Sequence, residues 1–158
     1  MIMGVTGSGK TTVAELIARR QGWEFADADD FHSPSNKQKI RDGIALTDAD
    51  REPWVQSLHA KIVEWLAQNK NAVLACSALK QSYREEIAVD SAPTVVYLKG
   101  SYELIASRLR ERHGHFAGVK ILASQFATLE EPRDAVTVDI SPTPEQIVSE
   151  IEHRLGLV

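Results

Sequence analysis

Residues 4–11 read Gly-Val-Thr-Gly-Ser-Gly-Lys-Thr, a complete G-x-x-x-x-G-K-[ST] run. Gly4, Gly7 and Gly9 let the backbone turn tightly and bring bare N–H groups up to phosphate oxygens. The free donors and dipole of a helix beginning just after them add to that anion site. Gly7, Ser8, Gly9, Lys10, Thr11 and Thr12 are therefore the candidate phosphate-binding residues. Lys10 supplies a mobile positive charge for the outer phosphates, and the Thr11 hydroxyl is placed to ligate Mg²⁺. The short apolar stretch Met1–Met3 precedes the run and a helical pattern from Thr12 to Gln21 follows it. That strand–loop–helix order is the context the chemistry requires, and it weighs against a glycine-rich turn that only joins two elements.

Phosphoryl transfer also needs an acceptor beside the terminal phosphate, which in open α/β folds lies beyond the carboxyl ends of the strands. The second apolar run ends in Asp27-Ala28-Asp29-Asp30-Phe31-His32. If the extended geometry persists, Asp27 and Asp29 share one side. One can then hold a metal through water while the other accepts a hydroxyl proton or orients that hydroxyl. A polar turn is the plainer reading of the same residues, and the phosphate loop in the same chain favours chemistry. His32 is a candidate substrate contact or a cap for the helix after it. Lys39, Arg51, Lys80 and Arg84 follow the second and third runs, where an acceptor would lie. Arg108 and Arg112 share one helix face ahead of His113-Gly114-His115-Phe116-Ala117-Gly118, which reads as a mobile loop. Some of these cations must belong to a solvated surface. Arg51, however, stands near a helix N-terminus, against the helix dipole, and an anionic ligand would make that placement favourable.

The elements that must position these groups alternate along the chain. Short apolar runs rich in Val, Ile and Leu occupy Met1–Val5, Trp23–Ala26, Ala72–Cys76, Thr94–Leu98 and Ala135–Ile140, as expected for strands buried on both faces of a parallel sheet. Helical segments separate them, which predicts a three-layer α/β/α sandwich. The first strand has only three residues ahead of Gly4 and is expected to be short. The strongest helical period is Trp54, Leu58, Ile62, Trp65 and Leu66, with Asp50 the expected N-cap and Pro53 in the first turn. The three tryptophans read as packing residues. A last helix is expected over Glu145–Leu155, after Pro142 and Pro144.

Composition limits the partners. The chain has 158 residues, 43% hydrophobic and 25% charged, which suits one globular domain over 1–158. Its net charge of −4 argues against general nucleic-acid binding. The single cysteine, Cys76, excludes an internal disulfide and reads as a buried thiol in a reducing compartment. No apolar run approaches the roughly 20 residues that cross a bilayer, and with the phosphate loop starting at residue 4 no leader is expected. The expectation is a cytoplasmic protein without membrane contact.

Taken together, the chain resembles the thermoresistant-type gluconokinases, small P-loop kinases related in fold to shikimate kinase. The resemblance covers nearly the whole length. It rests on Met3–Lys10, on Asp27-Ala28-Asp29 with His32, and on Leu46-Thr47-Asp48-Ala49-Asp50-Arg51-Glu52-Pro53-Trp54. It continues through Cys76-Ser77-Ala78-Leu79-Lys80 with Tyr83-Arg84, Tyr97-Leu98-Lys99-Gly100, Gly114-His115-Phe116 and Gln125-Phe126-Ala127-Thr128-Leu129-Glu130-Glu131-Pro132. The resemblance implies a five-stranded parallel sheet of order 2-3-1-4-5, a substrate region about 32–53, a lid about 112–118 and a homodimer. It implies transfer of the ATP γ-phosphate to the 6-hydroxyl of D-gluconate with Mg²⁺. The implied catalytic residues are Lys10, Asp29 and Arg112, and the metal is held by Thr11 and, through water, Asp27. Arg108 and Pro142 would flank adenine; Asp29, His32, Lys39, Arg51, Lys80 and Arg84 would face the sugar acid. The rival readings are another small-molecule kinase, shikimate-like or for a different sugar acid, and a non-catalytic ATP sensor.

Overall fold

The computed structural model describes residues 1–113 and 117–158. Five parallel strands form one sheet: β1 (Ile2–Met3), β2 (Glu24–Asp27), β3 (Ala72–Ala75), β4 (Val96–Lys99) and β5 (Val136–Asp139), in the order β2-β3-β1-β4-β5. All four pairings are parallel; Ile2 lies opposite both Ala75 and Val96. Between them run α1 (Lys10–Gln21), α2 (Pro34–Arg41), α3 (Asp48–Ala67), α4 (Gln81–Ile87), α5 (Tyr102–His113) and α6 (Ala117–Thr128), and α7 (Pro144–Arg154) follows β5. Among the described residues, no helix is long and apolar enough to cross a membrane.

The strand sequences dictate the layers. Successive side chains of a strand point to opposite faces, and here both faces are covered. Ile2, Val73, Ala75, Val96 and Leu98 join a core with Val13 and Ile17 of α1, Ile105 and Leu109 of α5, Leu122 of α6 and Ile147 and Ile151 of α7. Met1, Met3, Leu74, Cys76 and Tyr97 join a second core with Trp54, Leu58, Ile62 and Trp65 of α3 and Ile87 of α4. Cys76 is buried in that second core, and burial pushes its thiol up to about 12, so it stays protonated.

The structure moves one expected boundary. The cap of α3 is Thr47, not Asp50. Thr47 Oγ1 accepts the Asp50 N–H at 3.1 Å, and the Asp50 carboxylate accepts the Thr47 N–H at 3.0 Å, a reciprocal capping box. Pro53 therefore sits inside the helix, beyond its first turn. A hydroxyl and a carboxylate three residues apart share the capping, where a reading from the apolar period alone starts the helix one turn late. Thr47→Ala is expected to remove about 1 kcal/mol of stability, measured as a lower urea midpoint with unchanged slope.

Candidate active site

The phosphate loop leaves the end of β1 and enters α1 without a side-chain cap. Gly9 takes the N-cap position at φ +94°, a conformation open to glycine. With no side chain accepting there, the first N–H groups of α1 remain available to an anion. Gly7 has φ +77°, and a Cβ there would lie 2.8 Å from the Leu109 side chain, so the loop is pressed against α5. The Ser8 hydroxyl is buried and finds no partner among the described residues. Lys10 Nζ folds back and donates to the Val5 carbonyl at 3.0 Å. Burial holds its ammonium below the ordinary lysine value, opposed mainly by the charge of Asp29. An orphaned hydroxyl, a desolvated cation and uncapped amides together fit a polyphosphate.

A cavity of about 450 Å³ opens from the loop. It is lined by Ser8, Gly9 and Thr12 on one side and by Arg108, Arg112 and Pro142 on the other. The structure thus brings Gly7, Ser8, Gly9 and Thr12 of the expected phosphate residues together with Arg108 and Pro142 and sets Arg112 beside them. Ser141 and Thr143, which no motif marked, also line it. Residues 114–116 of the expected lid over 112–118 lie outside the described residues.

The Asp pair reaches the loop by a route other than strand alternation. The chain leaves extended geometry at Ala28 and makes a 3₁₀ turn over Ala28–Phe31, capped by Asp27. One Asp27 oxygen accepts the Asp29 N–H at 2.9 Å and the other accepts the Thr11 hydroxyl at 2.8 Å. Thr11 and Asp27 therefore set two hard oxygens side by side, a set that would suit Mg²⁺ held by the hydroxyl and, through water, by the carboxylate. Asp29 lies at the surface, yet its carboxyl is crowded. Burial first and the charge of Asp27 second push it above the usual aspartate range, against the pull of Lys10. The turn itself is held from α3: Trp54 Nε1 donates to the Ala28 carbonyl at 2.7 Å. The indole also stacks on the buried His32 ring, with centroids 4.7 Å apart and planes 9° apart. Burial and the nearby Arg51 keep His32 below its ordinary value, hence neutral at pH 7.

The basic residues divide into three kinds. Lys39 is paired with Asp50 at 3.0 Å and Lys80 with Asp48 at 3.4 Å. Arg51 donates to the Leu46 carbonyl at 3.0 Å and to the Tyr83 hydroxyl at 3.3 Å, and it makes no ion pair among the described residues. Its guanidinium lies 5.7 Å from the Tyr83 ring centroid, and Lys80 lies 5.5 Å from the same centroid. Arg84 is placed elsewhere. It is buried, and its nitrogens donate to the carbonyls of Ala78 at 2.6 Å and Glu130 at 2.7 Å and to Gln81. It ties α4 to two loops, and four of its five donors are used. Sequence reasoning missed Tyr83, which donates to Asp48 while accepting from Arg51. Its place one residue before Arg84, in the same motif block, was the available signal.

Asp29 makes a testable contribution to stability. Its folded pKa lies above the unfolded one, so the folded state holds the proton more tightly and ionising the carboxyl costs stability as pH rises. Asp29→Asn is expected to raise the urea midpoint at pH 7. The gain should fade toward about pH 3, where the aspartate is protonated in both states.

Comparison with known proteins agrees with this geometry. The shikimate kinase family pattern matches residues 6–155. The gluconokinase of Gluconobacter oxydans is 43% identical over 155 residues, covering 96% of this chain and 87% of the relative. The thermoresistant gluconokinase of Escherichia coli is 39% identical, covering 94% and 88%. The crystal structure of a gluconokinase from Sinorhizobium meliloti superposes with a TM-score of 0.81 at 40% identity, covering 99% of this chain and 94% of the other. A phosphate loop in its expected setting and likeness along almost the entire length lead to one conclusion: the chain belongs to the shikimate kinase family, in its gluconokinase branch.

Proposed function

We propose that this protein is a gluconokinase, transferring the γ-phosphoryl group of ATP to the 6-hydroxyl of D-gluconate to give 6-phosphogluconate and ADP. The observation that carries the reading is Arg51, a cation without a carboxylate partner among the described residues, bonded to Tyr83 beside Lys80 and near enough to His32 to act on its charge. It supplies the charge complementarity that a small carboxylated polyol requires.

The division of labour follows from the contacts. Amides of residues 7–12 and the buried Ser8 hydroxyl receive the phosphates, and Lys10 exchanges the Val5 carbonyl for a phosphate oxygen. Arg108 and Pro142 flank the base across the cavity. Asp29 orients the acceptor hydroxyl and takes its proton; its raised pKa suits it to that role better than an ordinary aspartate. The hydroxyl oxygen bonds to γ-phosphorus as the bond to the bridging oxygen of ADP breaks. Lys10 and Arg112 neutralise charge on the transferring group. Mg²⁺, held by Thr11 and by Asp27 through water, would neutralise and orient the outer phosphate oxygens. Arg51, Lys39 and Lys80 face the carboxylate, while His32, neutral and locked on Trp54, offers a polar edge to the sugar hydroxyls. Arg84 supports the loop that carries Lys80. The wider reading is a single kinase domain over 1–158, with a substrate region about 32–53 and a lid about 112–118, working as a cytoplasmic homodimer.

The direct test is ADP release from ATP and Mg²⁺ with and without gluconate. Strong dependence on gluconate is expected. Release that shikimate stimulates better, or nucleotide binding without acceptor-dependent turnover, would replace the assignment by one of its rivals. Arg51→Ala should raise the KM for gluconate about 10- to 100-fold, the worth of a charged hydrogen bond, with the KM for ATP nearly unchanged. Asp29→Asn should lower kcat about 10²- to 10⁴-fold, as loss of a general base does.

A further inference from the structure

One peptide unit in the phosphate loop is gripped from both ends. The N–H of Thr6 donates to Gln125 Oε1 of α6 at 2.6 Å. The carbonyl of that same unit, Val5 O, accepts Lys10 Nζ at 3.0 Å and the Ser8 N–H at 3.2 Å. Thr6 and Gln125 are 119 residues apart, so this is a tertiary tie and not part of the local loop. The donor is a backbone N–H, so the side-chain amide must present its oxygen, and its orientation follows. From this we infer that Gln125 is a positioning residue: by fixing the Val5–Thr6 peptide plane it sets where Lys10 rests and how the loop meets phosphate.

The surroundings of Gln125 make the tie stiff. Its helix α6 packs on α5 through the fully buried Leu122, and Phe126, the next residue, meets the Tyr102 ring edge-on at 5.7 Å. Immediately beyond α6 the Glu130 N–H donates to the Leu79 carbonyl at 2.8 Å, and the Glu130 carbonyl accepts Arg84 at 2.7 Å. The segment 125–130 is thus bonded to the phosphate loop at one end and to the loop bearing Lys80 at the other. The choice of glutamine also has a reason. It offers an acceptor oxygen without a negative charge beside a loop built for anions, where a glutamate would repel the phosphates. Accepting the Thr6 N–H polarises the peptide and makes Val5 O a better partner for the Lys10 ammonium. Without the tie, a partly buried N–H is left unpaired and the peptide is free to rotate, taking the lysine's anchor with it.

The inference rests on the kinase reading only for its kinetic consequence, and the test separates the two. In nucleotide-free protein, Gln125→Met keeps the side-chain length but removes the acceptor, so the Thr6 amide should exchange hydrogen at least about tenfold faster while Leu58 and Leu74 amides are unchanged. Gln125→Glu keeps an acceptor oxygen and should restore Thr6 protection, yet weaken ATP binding by its charge. The ATP dissociation constant should rise several-fold in Gln125→Met, and less than about twofold when the same change is made in a Lys10→Met background, because both act through one arrangement. Unchanged Thr6 exchange in Gln125→Met, lost protection in Gln125→Glu, or effects of Gln125 and Lys10 that simply multiply would each overturn the inference. Failure of gluconate to stimulate ADP release would instead remove the assigned substrate and leave the exchange result standing.

Discussion

The geometry of the site depends on parallel pairing around one very short strand. β1 contributes two residues, yet it is hydrogen-bonded on one side to β3 and on the other to β4. Parallel strands end on the same edge of a sheet. The pairing of Ile2 with Ala75 and with Val96 therefore delivers the phosphate loop, the loop from Cys76 to Lys80 and the turn at Gly100 to that edge in a fixed relation. Apolar side chains on both faces hold that register, and a slip of one residue would send every core side chain of the strand to the wrong layer. Catalysis by positioning needs this kind of frame, because phosphoryl transfer asks little covalent work of the protein and much geometric accuracy.

A second constraint joins the nucleotide side to the acceptor side. Trp54 sits in the core beneath α3, yet its indole N–H reaches out to the Ala28 carbonyl and its ring carries His32. Arg51 lies one helical turn ahead on the same helix. One rigid helix thus fixes the turn that bears Asp29, the orientation of His32 and the placement of Arg51. The block Asp-Arg-Glu-Pro-Trp reads accordingly: the tryptophan supplies the anchor and the arginine supplies the charge. The reading of Trp54 as a packing residue holds for its ring, while the polar edge does a separate task in the site.

Much of this was legible in the residues, and the exceptions share a cause. Strands buried on both faces give continuous apolar runs, so all five were visible, to within two residues at their ends. The phosphate loop was also visible, because short-range geometry fixes it; Arg108, Pro142, Thr11 and Asp27 were singled out as well, and the structure sets the first two on the cavity and bonds the last two to each other. The Asp27–Asp29 relation was expected for the wrong reason. A 3₁₀ turn, not strand alternation, makes them neighbours, since Asp27 caps the turn with one carboxylate oxygen and leaves the other for Thr11. Arg84 shows the limit of reasoning from charge. A guanidinium presents five donors, and here Ala78, Glu130 and Gln81 take four of them. Gln125 opens one of the blocks that carry the resemblance, yet its contact was not legible, because a neutral side chain inside an apolar stretch carries no period and no charge that would mark a partner 119 residues away.

The pairing of Lys39 with Asp50 and of Lys80 with Asp48 has an electrostatic logic of its own. Both carboxylates stand in the first turn of α3, where the helix dipole welcomes them, and both pairs are partly open to solvent. Such pairs are worth little, about 0–1 kcal/mol, so their cations can leave them at small cost. Arg51 has no such pair to break. Its contacts are a carbonyl and a phenol, which hold the guanidinium in place without neutralising it. The site therefore keeps one cation pre-positioned without a direct ion pair among the described residues while its neighbours are lightly screened. This arrangement avoids the cluster of naked positive charges that would oppose folding.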